Sequence, residues 1–545
     1  MSATMPEQTF KVFSRGVVEG FLQTVVVLDD GAYMTPDEPV TELVEPDDAT
    51  SIPEEVEEIE EAEPGTPRRP PNALDAQALI GSFAGRGLVC GVLLPWNDDD
   101  QSAATLAASR RADIVILDWQ LGDDGEMATG IIRTLVATDA AAGGRLRMLA
   151  VYTASPDLEA VRTKVAEALQ GFEAAIGKNG TLALKAQHAR IVFVRKGATS
   201  QATGTVAEAD LADCLIDEFV ELGKGLLANV ALGSIASIRD ETHRVLARFH
   251  PLLDAAFLSH RILLVTPEDA EGYAIDLLTS EFQSILRGRG LGGTNAGREV
   301  ILLALKEIEA AGGQFQLMSV RNSSSNPTRV TVDDLMKLVD RGPEGLAEIA
   351  NVGGSRSAQS SLHQRIYLLL SNDVAAGMAA HHEFARVSAH ARERGTVAPD
   401  WVARLDLGSI VRAGDEYLVC IQPTCDAVRL SGPAQFIFAT LSANDNEFDV
   451  VVKNVDGGEV CLKLNTQASK IRAISFAPNP AAGAVMSSGV TDGFKFTSVS
   501  DEIFVWLCDL RTSFAQRFVH RIASNLSRIG LDEFEWQRRH APSSS

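Results

Sequence analysis

Acidic, hydroxyl and ammonium side chains follow four short apolar runs in the N-terminal part of this chain. Asp29 and Asp30 follow the first run, Asp118 follows the second, and Thr153 and Lys196 stand at the ends of the third and fourth. Grouped carboxylates are ligands that Mg²⁺ prefers, and a carboxylate can attack phosphorus to form an aspartyl-phosphate. A hydroxyl and an ammonium can hold the oxygens of the transferred group. The residue types therefore predict magnesium-assisted phosphoryl transfer to Asp118.

The apolar runs predict how these side chains are positioned. Val and Ile follow one another without polar alternation in Val25–Leu28, Ile114–Leu117 and Ile191–Val194, as is typical of strands buried on both faces of a parallel sheet. In such a sheet, ligands bind beyond the carboxyl ends of the strands. We therefore expect an α/β doubly wound parallel sheet with the five polar groups at one edge.

At these residues the chain resembles the receiver domain of two-component response regulators, over roughly residues 20–215. The segment from Asp118 to Gly125 also looks like the family's loop after the acceptor, which commonly ends in Asp-Gly. The resemblance implies that Asp29 and Asp30 bind Mg²⁺, that Asp118 is a metal ligand and the phosphoacceptor, and that Gln120 lends a backbone carbonyl to the metal.

The same resemblance assigns the remaining receiver residues. Thr153 matches the switch hydroxyl, Lys196 the family's lysine, and Phe193 the switch aromatic residue. It implies a cytoplasmic signalling protein that takes its phosphoryl group from a histidine kinase or a histidine-kinase-like ATPase. The overall layout also resembles uncommon bacterial response-receiver proteins, which assigns no output activity.

Three features depart from the family pattern. Gly197 follows Lys196, where the family usually has Pro in a cis peptide. Asp30 and Asp118 are 88 positions apart, and most of the excess is Gly31–Asn72, which carries thirteen acids. We expect that insert to be a solvated, disordered loop. A second expansion, over residues 154–190, enlarges the side of the domain that receivers use to address partners.

Composition limits the classes of function. No apolar run approaches the length of a membrane span, and the six cysteines are scattered without a disulfide framework, which favours a reducing compartment. The formal net charge is −24 and we find no clustered Lys/Arg face, so the sequence disfavours nucleic-acid binding.

The chain divides into three predicted domains. These are a receiver domain over 1–215, a helical linker or output region over 216–402, and a β-rich α+β domain over 403–545 that a helix over Thr512–Ser527 closes. An amphipathic helix from Val206 to about Leu232 either transmits the switch, forms a homodimer seam, or packs in a core. Further helices are predicted over Ile235–Phe249, Ala270–Arg287, Arg298–Ala311, Val332–Arg341, Gln359–Leu370 and Asp373–Arg394. Strands are predicted over Glu416–Gln422, Gln435–Ala439, Asp449–Asn454, Glu459–Leu464, Ile471–Phe476, Gly493–Thr497 and Ile503–Leu507.

Histidines offer weaker candidates for chemistry. His243 has acidic neighbours and could act in phosphotransfer, but an isolated helical histidine is more typically structural. His381, His382 and His390 could suggest a metal, yet no spacing fits a ligand set, so a solvated helix is the favoured interpretation.

Cysteines in the C-terminal region also have acidic neighbours, in Cys425-Asp426 and Cys508-Asp509. A neighbouring carboxylate raises a thiol's pKa and argues against an activated thiolate. No histidine is expected close enough to complete a catalytic arrangement, and buried structural cysteine is favoured over a four-thiolate zinc site. Cys425 and Asp426 are the best candidate site in this domain.

The sequence thus predicts a response-regulator-like protein whose output region does not bind DNA and which is no enzyme beyond its own phosphorylation and dephosphorylation. Two alternatives stay open. One is a degenerate receiver that acts as a protein-binding scaffold, and the other is a receiver-controlled enzyme of unknown chemistry in residues 233–545.

Overall fold

The structure is a computed structural model and divides into two compact units, residues 1–311 and 312–545, which we describe separately. It describes the following residues: 9–32, 73–93, 99–121, 125–172, 174–177, 181–184, 189–197, 205–264, 267, 269–317, 328–349, 373–397, 401–445, 447–489 and 493–527. The predicted helix Gln359–Leu370 and nearly all of the acidic insert lie outside these residues. The domain boundaries at 215 and 402 stay predictions.

The first unit contains eight described strands and twelve α-helices. Its strands are β1 Thr24–Leu28, β2 Val89–Leu93, β3 Ile114–Leu117, β4 Arg147–Thr153, β5 Ala174–Ile176, β6 Leu182–Leu184, β7 Ala189–Lys196 and β8 Thr205–Val206. Its helices are α1 Phe10–Phe21, α2 Ala76–Ala84, α3 Asp99–Arg111, α4 Glu126–Ala141, α5 Leu158–Ala168, α6 Leu211–Gly223, α7 Leu226–Asp240, α8 Thr242–Arg248, α9 Asp254–Leu263, α10 Asp269–Gly288, α11 Leu291–Ala296 and α12 Arg298–Ala310.

A parallel sheet forms the centre of this unit, in the order β2-β1-β3-β4-β7. This is a doubly wound order, and it confirms the predicted α/β fold. Successive strand residues point to opposite faces, so Ile114 and Ile116 enter one core with α1, α2 and α6, while Val115 and Leu117 enter a second with α4 and α5.

The expansion between Thr153 and Lys196 extends the same sheet. The hairpin β5–β6 follows α5, and β6 pairs antiparallel with β7. The sheet is therefore mixed, with the added strands on the β4–α5–β7 side. This side is the one that the sequence predicted to be enlarged.

The predicted helix from Val206 to Leu232 is broken in two. A short 3₁₀ turn leads into α6, which ends at Gly223, and α7 begins at Leu226 after a bend of 117°. Gly225 has a φ of 157°, a conformation that few other residues adopt, and it makes the break possible. Among the described helices, none alone is long and apolar enough to cross a membrane, and only this bent pair, from Glu208 to Asp240, meets that test jointly.

The helical middle of the chain is confirmed, with different boundaries. The predicted helix Ile235–Phe249 divides at Glu241 between α7 and α8, and the Glu241 carboxylate accepts hydrogen bonds from Arg244 and Arg289 there. The helices predicted near Ala270 and Arg298 are α10 and α12.

The second unit contains two antiparallel sheets, one large and one of two strands. Its strands are β9 Phe315–Leu317, β10 Thr328–Val330, β11 His390–Glu393, β12 Ser409–Ala413, β13 Glu416–Cys420, β14 Ala434–Ala443, β15 Val450–Lys453, β16 Glu459–Leu464, β17 Ile471–Phe476, β18 Lys495–Thr497 and β19 Ile503–Leu510. Its helices are α13 Val332–Arg341, α14 Val374–Ala389 and α15 Thr512–Leu526.

The main sheet of this unit has the order β11-β19-β12-β13-β14-β16-β15, and all of its pairs are antiparallel. This confirms the predicted β-rich domain. The predicted helix Asp373–Arg394 is wrong at its end, because the chain leaves α14 at Ala389 and continues as β11 against β19. The partner strand, which lies more than 100 residues away, supplies the hydrogen bonds that turn this segment into a strand.

Candidate functional site

The predicted polar residues meet at the carboxyl edge of the parallel sheet. Asp29 follows β1, Asp118 follows β3, Thr153 ends β4, and Lys196 ends β7. Asp29, Asp118 and Thr153 are buried, whereas Asp30 is exposed. The parallel register of the strands aligns these ends, as the sequence predicted.

Lys196 joins the two buried carboxylates. Its Nζ lies 2.7 Å from Oδ2 of Asp29 and 2.7 Å from Oδ2 of Asp118. The other oxygen of each carboxylate accepts a backbone N–H, from Gly31 at 2.9 Å and from Gln120 at 3.2 Å. These bonds hold both carboxylates in fixed orientations, with Asp118 presented at the sheet edge.

The acidic residues fit a divalent cation. One carboxylate oxygen from each of Asp29, Asp30 and Asp118 lies within 4.8 Å of the others, and this is the one such cluster in the described part of the chain. The three carboxylates and one ammonium carry a formal charge of −2, which Mg²⁺ would neutralise. An all-oxygen donor set also suits this ion. The backbone carbonyl of Gln120 remains a predicted fourth ligand.

Burial changes the acidity of the site. The loss of hydration raises the pKa of Asp29 above its ordinary value, and the Asp118 carboxylate acts in the same direction. The Lys196 ammonium opposes this rise, through its charge and its hydrogen bond, but does not cancel it. A cation that binds here must therefore compete with a proton on Asp29.

Thr153 and Phe193 lie beside this acidic edge. The hydroxyl of Thr153 is buried and accepts the N–H of Ser155 at 3.1 Å. Phe193 lies opposite Val151 in the β4–β7 register and packs, partly buried, against the core under α4 and α5. Their roles as switch residues stay predictions.

The loop after Asp118 depends on a glycine. Gly125 begins α4 with a φ of 76°, and a Cβ there would come within 2.4 Å of the ring of Trp119. Only glycine fits both the backbone angle and the space. The glycine at the end of this loop therefore has a steric reason, whereas Asp123 and Asp124 lie outside the described residues.

The match to a known family covers this same part of the chain. Residues 21–201 match the family model of the response receiver domain. This segment is a response receiver domain. The match covers about a third of the chain and does not reach the helical middle or the second unit. Searches of the curated proteins and of the solved structures found no match.

One residue of the receiver site was not found from the sequence. The ring centroid of Tyr152 lies 5.7 Å from Nζ of Lys196, and its hydroxyl donates to the carbonyl of Val206 at 2.8 Å. Val206 belongs to β8, which pairs with Lys196 itself. Tyr152 therefore contacts Lys196 and ties it to β8. The residue after this lysine is Gly197, at the position where the family usually has proline. The position of Tyr152 directly before Thr153 was the only available signal.

The predicted C-terminal pair does not join a larger cluster among the described residues. Cys425 is exposed, and its thiol lies 3.6 Å from Oδ1 of Asp426 within a single 3₁₀ turn. In the second pair, Cys508-Asp509, the two side chains have different surroundings. Cys508 is buried, and Asp509 accepts hydrogen bonds from Trp506 and Ser409. All six cysteines are free thiols.

Sequence reasoning found no histidine to complete a catalytic arrangement with a cysteine, but in the structure two histidines contact buried cysteines of this unit. His390 stands on β11 rather than on a solvated helix, with Nε2 3.5 Å from the thiol of Cys508. His382 lies on α14, with Nε2 3.4 Å from the thiol of Cys461. Sequence spacing carried no signal for either contact, because each joins elements that are far apart along the chain. His243, by contrast, is exposed on α8 and contacts a backbone carbonyl.

Proposed function

We propose that this chain is a response-regulator-like signalling protein that accepts a phosphoryl group on Asp118 from a histidine kinase. The observation that carries the proposal is the position of Asp118, between the Lys196 ammonium and the acidic pair at the edge of a receiver sheet. Receiver domains generally interact with histidine kinases, and this partner class follows from that.

The residues of the site divide the work of the transfer. An oxygen of Asp118 attacks phosphorus, the bond from phosphorus to the kinase imidazole nitrogen breaks, and an aspartyl-phosphate forms. Lys196 neutralises charge on the phosphoryl oxygens, and the Thr153 hydroxyl donates to one of them in place of its present local contact. Mg²⁺, held by Asp29, Asp30, Asp118 and the Gln120 carbonyl, supplies further charge neutralisation when it is bound.

The switch passes to the enlarged side of the domain. Movement of Thr153 towards the phosphoryl group frees space beside β7, into which Phe193 repacks. Thr153 ends β4, which leads into α5, and Phe193 lies on β7, which pairs with β6 of the β5–β6 hairpin. The output region of residues 216–545 responds to this change without binding DNA, since its 39 acidic residues outnumber its 32 basic residues and it would repel the phosphate backbone.

We place a homodimer contact on α9 and its neighbours. Ten large apolar residues between Leu246 and Leu277 are exposed, including Leu252 at 85% and Ile262 at 78%. The two arginines of this segment already form ion pairs with nearby acids, Arg248 with Glu281 and Arg261 with Glu271. The exposed leucine and isoleucine side chains suit a second copy of the same surface, because each copy can bury the apolar side chains of the other.

Intact-mass spectrometry tests the central proposal. Full-length protein is incubated with Mg²⁺ and acetyl phosphate, beside an Asp118→Asn variant. We expect a labile adduct of about 80 Da, the mass of a phosphoryl group, on the wild type alone. Absence of the adduct together with absence of Mg²⁺ binding would leave the scaffold alternative, in which the degenerate receiver only binds its partner.

We place the protein in the cytoplasm, with its kinase, and the six free thiols support this compartment.

A further inference from the structure

The second unit contains two sets of a cysteine, a histidine and a glutamate in which the histidine ring contacts the thiol with one nitrogen and the carboxylate with the other. In the first, Cys461 and Glu459 lie on β16 and His382 reaches them from α14. In the second, the residues are Cys508, His390 and Glu393. The receiver site uses neither set.

The first set has the geometry of an activated nucleophile. Nε2 of His382 lies 3.4 Å from Sγ of Cys461, and Nδ1 of the same ring lies 3.1 Å from Oε2 of Glu459. A carboxylate at Nδ1 keeps the proton on that nitrogen, so the lone pair of Nε2 faces the thiol. Phe448 packs edge-on against the imidazole, with ring centroids 5.7 Å apart, and Arg386 forms an ion pair with Glu459. Nucleophile, base and orienting group are therefore all held in place.

The two sets differ in access to solvent. The side chain of His390 in the second set is 4% exposed, and Cys508 beside it is buried in the core. In the first set the side chains of His382 and Glu459 are 16% and 28% exposed, while Cys461 itself retains 4%. The first set thus opens to the surface through its base, and its sulfur admits only a small reactant.

We propose that Cys461 is a thiol modification site for small hydroperoxides, with His382 as its base and Glu459 as the positioning residue. His382 accepts the thiol proton as Sγ attacks the distal peroxide oxygen. An S–O bond forms and the O–O bond breaks, so the sulfur loses two electrons and becomes a sulfenic acid. The leaving alkoxide or hydroxide takes the proton from His382 and departs as an alcohol or as water.

The resting state of Cys461 explains why the histidine is needed. Burial raises the pKa of this thiol to about 11, and the charges of Asp445 and Glu459 act in the same direction. The thiol is therefore neutral at physiological pH, and the proton must leave during the attack. A base already in contact with the sulfur provides that path, whereas Cys425, which is exposed on its 3₁₀ turn, has a carboxylate as its neighbour.

Site-resolved trapping tests this proposal on the full-length protein. The protein is treated with hydrogen peroxide for varied times and residual peroxide is removed with catalase. The sulfenic acid on each cysteine is then trapped with dimedone in urea, and the adduct on each cysteine peptide is quantified by mass spectrometry. We expect Cys461 to be trapped faster than the more exposed Cys425. His382→Gln should slow trapping at Cys461 on the order of tenfold or more and leave Cys425 unchanged. Glu459→Gln should give a smaller loss.

His381→Gln is the matched control, since it makes the same change one position earlier on α14. Circular dichroism establishes that the variants are folded. The proposal is overturned if Cys461 in the folded protein is oxidised no faster than Cys425, or if His382→Gln and His381→Gln behave alike. The result is independent of the receiver, because Asp118→Asn should leave trapping at Cys461 unaltered.

Discussion

The ammonium of Lys196 lies 2.7 Å from a carboxylate oxygen of Asp118, although 78 residues separate them along the chain. The same ammonium also binds Asp29, so one cation holds together the strand ends that form the receiver site. This contact links the stability of the domain to its electrostatics.

Lys196→Met should lower the free energy of unfolding, and Mg²⁺ should reverse much of this loss. Without the ammonium, Asp29 and Asp118 are left buried and face each other, which costs about 3–5 kcal/mol when a buried partner is removed. Urea unfolding in EDTA should show this loss, and Mg²⁺ should restore much of it.

Lys224→Met is the control for this substitution. Lys224 forms an ion pair with Glu307 that is about one-third exposed, far from the acidic cluster. Its loss should cost less than about 1 kcal/mol and should not depend on Mg²⁺. An equal Mg²⁺ response in both variants would refute the link between the lysine and the metal site.

Mg²⁺ binding should weaken at a higher pH than it would for ordinary exposed carboxylates. The raised pKa of Asp29 means that a proton competes for this ligand as pH falls. In stability terms, a raised folded-state pKa stabilises the metal-free protein at low pH, and this contribution is lost as pH rises through that pKa. Calorimetric Mg²⁺ titrations at a series of pH values can measure the first effect.

Asp29→Asn separates the two effects. In EDTA it should remove the loss of stability at rising pH, because the group that must ionise is gone. If the metal-free wild type and this variant show the same pH dependence of unfolding, Asp29 is not the responsible group.

Gly125→Ala should be more destabilising than Gly143→Ala. Both glycines have positive φ, 76° and 86°, so both variants acquire backbone strain of about 1–2 kcal/mol. A Cβ at Gly143 meets no atom within 4 Å, whereas one at Gly125 collides with the ring of Trp119. The additional cost at Gly125 should be about 1–3 kcal/mol, measured by urea unfolding. Equal losses would mean that the Trp119 contact is unimportant.

Ile262→Glu should weaken self-association. The side chain lies on α9, a helix with no buried residue, and a charge there would have to be buried between two copies. Light scattering after size exclusion should show a dimer for the wild type and a monomer for the variant. Val499→Glu, at a residue exposed to 56% in the second unit, provides the control and should leave the dimer intact. A monomeric wild type at micromolar concentrations would contradict the proposed interface.

The receiver fold and its site could be predicted because both follow from local patterns. Uninterrupted Val and Ile runs mark buried strands, and the rule that parallel strands align their carboxyl ends brings Asp29, Asp118, Thr153 and Lys196 together. Neither step requires knowledge of which side chains touch. The order of polar residues along the chain was therefore enough to predict which side chains lie together at the sheet edge. The strands of the β-rich region could also be predicted, because each of them shows as a local apolar run.

Contacts between distant elements could not be predicted in this way. The support of Lys196 by Tyr152 depends on how β8 returns to β7, and the contact of His382 with Cys461 depends on how α14 packs over β16, 79 residues later. The end of α14 at Ala389 likewise depends on β19, which offers β11 a pairing that helical periodicity does not reveal. The sequence alone determined which strand ends carry the acidic, hydroxyl and ammonium groups of the proposed phosphoryl-transfer site. Only the tertiary structure decided which side chains hold Lys196 and which cysteine has a base, because those contacts arise from packing between segments with no fixed spacing.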